Sequence, residues 1–583
     1  MTADLPQSEP GPAGTQAGRI AAVVVLLGLA LTLRLVGITW GLPDDTHLFS
    51  YHPDEYHSLR GAISMALGDP NPHFFNYGSL YLYLVGIAAA LFRPEIFAAL
   101  PDATPGGALL PVMLREWTLI ARIVTVLLAT ATVAVVYATA ARIWGHREGL
   151  AAGLLLTLAP LHLLHSHYAT VDVPGAFFVA LALYFSVALV DRPDLRGIIW
   201  AGIATGLAAR VKYSGAVAIV APLAAWLIVW QRDRETDAAP RWTTLVALPV
   251  AALAAFALTS PFTVLDWQSA WRDISFEMAH MRVGDDPAML AIYPSGPAFY
   301  LRELMIGTGG IMPVAALIGL VAGLLAGNRA LWPLLLFGLA ALSMTAGTEV
   351  RYARYLMPLL PVIAILAAGV VSVDQIAAVR GRLPVWGIAI GVAIILAGAA
   401  LGAAVLDRRL LHELRAEDPH AEALALLEER VPSGGSIGFL TEPWFYHPPV
   451  DYCNGGVMLR EHPLWGAYRR PIRELRVIGL DADALFEQRP DAVVLTGFEL
   501  AVKLAAGDPT AARFMRVLND QQYEPVSSPR GLAWNWASPR PWAQDWLYPY
   551  PWIELWVRSD TGSPPSDAPV TGEGDGGMID GAE

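Results

Sequence analysis

Eleven apolar runs divide the first 406 residues, at 19–42, 118–141, 148–166, 172–190, 197–209, 213–230, 242–261, 302–326, 330–347, 355–373 and 384–406. Most approach the roughly 20 apolar residues that a helix needs to cross a bilayer, where the backbone finds no water and only helices or closed barrels are stable. The chain is therefore expected to be an α-helical multi-pass membrane protein. Composition supports this: 55% of residues are hydrophobic and 16% charged, with a mean hydropathy of +0.45, far from a soluble domain. The first run, "RIAAVVVLLGLALTLRLVGITWGL", is too long for a secretory h-region and lacks a small-residue cleavage pattern, so it reads as a retained helix. A shorter piece, "SLYLYLVGIAAALF" at 79–92, reads as interfacial or re-entrant.

With that piece left out, Arg142, Arg147, Arg192, Arg196, Arg232, Arg234, Arg241, Arg329, Arg380 and Arg382 fall on one side, which the positive-inside rule makes cytoplasmic. The N-terminus is then cytoplasmic. The outer face receives residues 42–117, the "HSHYATVD" turn, 262–301, "EVRYARY" and all that follows Leu406. Four regions are expected: a disordered cytoplasmic start (1–18), a membrane module (19–406), a soluble extracytoplasmic α/β domain (407–558) and a disordered tail (559–583). In the soluble domain "PHAEALALLEERV" has helical periodicity, while "GSIGFL" and "DAVVLTGF" read as strands. The tail is acidic and rich in Gly, Pro and Ser, without Lys or Arg, within a chain of net charge −13. The single cysteine, Cys453, excludes an intramolecular disulfide.

Four polar motifs sit on the expected outer face. "YHPDEYH" holds His52, Asp54, Glu55 and His57 just beyond the first run; capping is one reading, because Pro53 suits a helix start and acids suit the first turn. "HLLHSHYATVDVP" brings His162, His165, His167 and Asp172 to the ends of the third and fourth runs, where ionisable groups are costly and functional by default, though Asp172 also suits a cap. "ARVKYSG" contributes Arg210 and Lys212, and "EVRYARY" contributes Arg351 and Arg354. The last two are three apart, so in a helix they would share a face and form a fork for phosphate oxygens. Snorkelling of long basic chains is the alternative. Carboxylates beside membrane-level cations point to chemistry on a lipid-linked phosphate.

"YHPDEYHSLRGAISMALGDPNPHFFNYGSLYLYL", "HYATVDVPGAFF", "GLAARVKYSG", "SPFTVLDW" and "RYARYLMPLLPVIAILAA", in this order and spacing, resemble bacterial glycosyltransferases of the GT-C class. The nearest likeness is to glycosyltransferase family 39, the dolichyl-phosphate-mannose protein mannosyltransferases and their bacterial relatives. It runs over about residues 19–406. The resemblance implies about 11 to 13 transmembrane helices, a polyprenyl-phosphate-linked sugar donor and a site on the extracytoplasmic face. It places the catalytic acids at Asp54, Glu55 and Asp172, with Asp54 as base in an inverting displacement. Substrate contacts fall on His52, Tyr77, His165, His167, Arg210, Lys212, Tyr213, His280, Arg351, Tyr352 and Arg354, and the acceptor hydroxyl stays open among protein, lipid and cell-envelope glycan.

No cofactor is expected. A divalent ion held by Asp54, His165 and Asp172 is the competing use of those groups, although their spacing fits no metal signature. No dinucleotide fingerprint or Walker-type "GKS" or "GKT" is present, and no nucleic-acid partner is expected. The loop 261–300, with Glu277, His280 and Arg282, is expected to close over the site, and the Trp-rich "NWASPRPWAQDWLYPYPWIELWV" to stack on sugars or pack the domain. A non-catalytic transporter or flippase of a lipid-linked saccharide is the rival, but it needs polar groups near the midplane and usually an internal repeat.

Overall fold

The computed structural model describes residues 16–44, 46–102, 109–235, 241–284, 287–372, 385–416, 418–450, 473–526, 543–549 and 551–559. The segment 1–15, nearly all of the expected acidic tail, Cys453 and residues 535–542 of the Trp-rich run lie outside these. Among the described residues six helices are long and apolar enough to cross a membrane: Gln16–Leu35, Leu109–Ile143, Asp172–Asp191, Tyr213–Asp233, Ala353–Val371 and Gly391–Glu413. Two bent pairs raise the number to as many as eight, with Trp242–Leu258 and Leu331–Ala346 as shorter apolar helices. The expected count of eleven to thirteen is thus not reached by length and composition, because several runs are broken.

The breaks have local causes. Pro160, which lacks an N–H and clashes with the preceding turn, separates His146–Thr157 from Pro160–His165. Gly309 and Gly310 take φ of 77° and 97°, open to glycine. They turn the run expected at 302–326 into Gly296–Gly307 and Met312–Leu325, bent by 100°. The short Leu80–Phe92 helix meets Pro94–Asp102 at 102°.

At the centre lies the Asp172–Asp191 helix, packed against Leu109–Ile143, Leu195–Val211 and Val220–Asp233. Its far end is fixed by Arg142, whose Nε lies 3.0 Å from Asp191, and by Arg232, which donates to the Val190 carbonyl at 2.9 Å. Asp172 therefore lies about 30 Å from those arginines, at 1.5 Å rise per residue.

The C-terminal domain is a five-stranded sheet of order β2-β1-β3-β5-β4, with β1 Ser436–Phe439, β2 Glu474–Val477, β3 Ala492–Thr496, β4 Tyr523–Pro525 and β5 Ile553–Arg558. β1 is parallel to β2 and β3, whereas β5 runs antiparallel to β3 and β4. Strand alternation explains its two cores: Ala492 and Val494 join Leu427 of the Pro419–Arg430 helix, and Val493 and Leu495 join Leu485, Leu500 and Phe514 on the other face. The two runs read as strands are β1 and β3. The Gly391–Glu413 stretch continues through the expected boundary at Leu406 without a break.

Candidate active site

Asp54 immediately precedes the Glu55–Ala66 helix, at φ −77° and ψ −15°, and its side chain makes no cap hydrogen bond. Capping therefore does not explain it. Its Oδ2 lies 3.3 Å from Arg354 Nη2, and the carboxylate is 18% exposed. Its neighbour is turned the other way. Glu55 is fully buried; Arg122 Nε and Nη2 donate to its two oxygens at 2.7 Å each, and the Ala169 N–H donates to Oε1 at 2.7 Å. Burial pushes the Glu55 carboxyl up, but the Arg122 guanidinium outweighs this and leaves it below the ordinary range.

Both basic motifs present their cations by the same local device. Each has a residue in extended conformation, Lys212 or Tyr352, followed by a 3₁₀ segment, Tyr213–Ile219 or Ala353–Leu359. Lys212 Nζ reaches Asp172 Oδ1 at 2.7 Å and lies 4.4 Å from the Tyr355 ring centre. Arg354 lies over the Tyr352 ring at 3.9 Å and reaches Asp545 Oδ1 at 3.3 Å and the Tyr548 hydroxyl at 3.2 Å. Because Arg351 lies outside any helix, before the extended Tyr352 and the 3₁₀ segment that begins at Ala353, the expected shared helix face with Arg354 does not form. Arg351 is engaged by the carbonyls of Tyr293 and Thr348 and by Glu349.

Asp54, Asp172, Lys212 and Arg354 line one cavity of about 420 Å³, with Tyr77, Tyr213, His280, Tyr352 and Tyr355. Val179, Val217, Ala341, Met344 and Pro358 give it an apolar wall. Its cover is the Trp267–Val283 helix, which contributes Glu277 and His280. That helix is tied down by Asn76, which donates to Glu277 at 2.8 Å, and by the Phe75 N–H, which donates to Asp273 at 3.0 Å. Tyr213 donates to the Phe75 and Tyr77 carbonyls at 2.9 and 3.2 Å, joining the same loop to the Lys212 segment.

The remaining candidates lie elsewhere. His167 bonds the Leu163 and Val36 carbonyls at 2.8 and 2.9 Å. Arg210 donates to the Ser260 carbonyl and Thr263 and covers the Phe256 ring at 4.1 Å. His52 is buried between the Tyr168 and Tyr548 rings, and burial, helped by Arg354, lowers its pKa to about 3, so it is neutral at physiological pH. His165 faces Asp545 at 3.3 Å. The possible metal set does not fit an ion, because Asp54, His165 and Asp172 each face a different partner; among the described residues no group of three or more His, Cys, Asp or Glu could hold one.

The Trp-rich end is not an exposed stacking platform in its described part: Trp546, Tyr548, Trp552 and Trp556 are buried. What it supplies is Asp545. Burial raises this carboxyl, but Arg354 and the nearby His165 ring dominate and hold it below the usual carboxylate range. A second cavity of about 420 Å³ lies between Thr441, Tyr446, Phe498 and Lys503 of the domain and Arg351 and Tyr352 of the membrane module. Tyr352 lines both cavities.

Residues 113–264 match the family of dolichyl-phosphate-mannose-protein mannosyltransferases. That segment carries Asp172, Lys212 and Tyr213, and it lies within the region of resemblance read from the sequence. No curated protein matches the chain. Among solved structures, the oligosaccharyltransferase AglB from Archaeoglobus fulgidus, in complex with an inhibitory peptide and a dolichol-phosphate, is similar at TM-score 0.49 and 14% identity, over 88% of this chain and 73% of that one. ArnT from Cupriavidus metallidurans, bound to undecaprenyl phosphate, is similar at TM-score 0.48 and 14% identity, over 94% of this chain and all of that one. The Pmt1-Pmt2 protein O-mannosyltransferase of S. cerevisiae, bound to the sugar donor, is similar at 0.32 and 19%, over 47% of this chain and 36% of that one.

Proposed function

We propose that this protein is a membrane glycosyltransferase that moves a sugar from a polyprenyl-phosphate donor to an acceptor hydroxyl, in the cavity at the end of the bundle that the arginine pattern assigns to the outside. One observation carries the reading: two carboxylates and two cations converge on a cavity whose other wall is apolar. The donor phosphate takes Lys212 and Arg354, and the first part of its prenyl chain follows Val179, Val217, Ala341, Met344 and Pro358. When the phosphate engages Arg354, Asp54 is freed from its ion pair. Asp54 then accepts the proton of the acceptor hydroxyl as the oxygen bonds to the anomeric carbon from the face opposite the leaving group. The bond from that carbon to the phosphate oxygen breaks, its electron pair remains on the phosphate, and the cations stabilise the charge.

Asp172 orients Lys212, and Glu55 has a structural role through Arg122. The acceptor enters through the second cavity and meets the donor at Tyr352. A transporter is disfavoured because the charges gather at the end of the Asp172–Asp191 helix that is opposite Arg142 and Arg232, away from its middle.

Lys212→Met is expected to weaken polyprenyl-phosphate binding by about 10- to 150-fold, the loss of one charge-assisted contact of roughly 1.5–3 kcal/mol. Arg351→Ala should change it little, because that guanidinium is already held by two carbonyls and Glu349. Titration of undecaprenyl phosphate into the purified variants decides; equal losses in both would put the phosphate outside the assigned cavity.

A further inference from the structure

Every candidate site residue read from the sequence lies in the membrane module. The contacts around Arg354 extend into the C-terminal domain. Its two terminal nitrogens reach two carboxylates, Asp54 Oδ2 and Asp545 Oδ1, at 3.3 Å each. The second comes from the C-terminal domain, from a 3₁₀ turn at Gln544–Leu547 shortly before β5. Asp545 is fully buried and also accepts the Ala353 N–H at 2.7 Å, so it grips the backbone of the 3₁₀ segment as well as the guanidinium. Tyr548 accepts from the same guanidinium nitrogen at 3.2 Å. The turn is anchored beside these contacts: Trp546 Nε1 donates to Glu303 at 2.9 Å, and His165 faces Asp545 at 3.3 Å.

We infer that Asp545 and Tyr548 are positioning residues for the transfer reaction, holding Arg354 where it can pass from Asp54 to the donor phosphate. The inference rests on the proposed transferase reading. Arginine suits the task because its planar fork can hold one partner on one nitrogen while exchanging the other, which an ammonium cannot do with the same geometry. With Asp545 in place, the guanidinium has a fixed anchor and is shared, so Asp54 yields it to the phosphate. Without that anchor Arg354 closes on Asp54 and keeps the base occupied. The C-terminal domain is thus part of the catalytic apparatus, through Asp545 and Tyr548, which act on Arg354 and not on the reacting atoms.

The test uses the full-length protein with Asp545→Asn, which keeps an acceptor for the Ala353 N–H and removes the charge, and Tyr548→Phe, which removes only the hydroxyl. For each, kcat and KM for a synthetic undecaprenyl-phosphate sugar are measured with the number of undecaprenyl phosphate molecules bound per protein. Asp545→Asn is expected to lower kcat by about tenfold or more, as loss of a charged hydrogen bond does, with full binding stoichiometry at saturating lipid and KM equal or higher. Tyr548→Phe should lower kcat by about threefold in the same pattern, the scale of one ordinary hydrogen bond, and Asp545→Glu should recover part of the loss. Wild-type kcat in Asp545→Asn, or a loss matched by lost binding sites, overturns the inference. Wild-type protein that binds the lipid yet transfers no sugar overturns the functional reading, and the inference with it.

Discussion

Asp54→Asn is expected to lower sugar transfer by about 10² to 10⁴, the usual contribution of a positioned general base, while folding and donor binding persist. The substitution keeps the shape of the side chain, and the helix start loses nothing because Asp54 makes no side-chain cap bond. Arg354 retains Asp545 and Tyr548 as partners. What is removed is the proton acceptor and the charge paired with Arg354, the pair that the donor phosphate displaces in any case. Purified Asp54→Asn, assayed with a synthetic polyprenyl-phosphate sugar and checked by thermal unfolding, separates the cases. Near-normal transfer would end the case for this carboxylate as base.

The main charges of the site were readable because ionisable groups at membrane level have few roles other than function or pairing. Asp172 reads as functional on that ground, while Asp54, Lys212 and Arg354 follow from the outer-face motifs and the family resemblance; the four line one cavity. Glu55 could not be separated from Asp54 in the sequence. Adjacent residues at a helix start point in different directions, and which one faces the cavity depends on where the helix begins. The fork of Arg351 and Arg354 needs a helix through residues 351–354, whereas the 3₁₀ segment begins only at Ala353, after the extended Tyr352. Asp545 was out of reach for another reason: its partner Arg354 lies 191 residues earlier, and nothing local announces the pairing. The one signal was Asp545 itself, which with Glu554 is one of two carboxylates in the Trp- and Pro-rich stretch and is buried. The long apolar runs were legible as membrane helices, but their breaks depended on Pro160 and on the positive φ of Gly309 and Gly310.

The second large effect concerns stability. Arg122→Ala is expected to destabilise the fold by about 3–5 kcal/mol, because removing one member of a buried, hydrogen-bonded ion pair strands the other. Arg122 also donates to the Ile38 and Trp40 carbonyls at 2.7 and 2.6 Å, so it ties the turn after the first helix to the start of the second. The sign of the pH dependence follows from the lowered Glu55 carboxyl. The stability it contributes is fully present above the ordinary glutamate range and is lost as pH falls through the lower folded value. Denaturant titration of the detergent-solubilised variant measures the loss. Glu55→Gln should likewise be less stable yet keep kcat per folded molecule within a few-fold; an inactive but fully stable Glu55→Gln would move the catalytic role to Glu55.

The most direct test of the account follows a polyprenyl-phosphate sugar of defined anomeric configuration through a single turnover, using wild-type protein and an envelope extract as the source of acceptor. Polyprenyl phosphate is expected to be released one for one with sugar joined to an acceptor oxygen, and the anomeric configuration to be inverted. Intact donor carried across a vesicle bilayer without release of the lipid phosphate would contradict it.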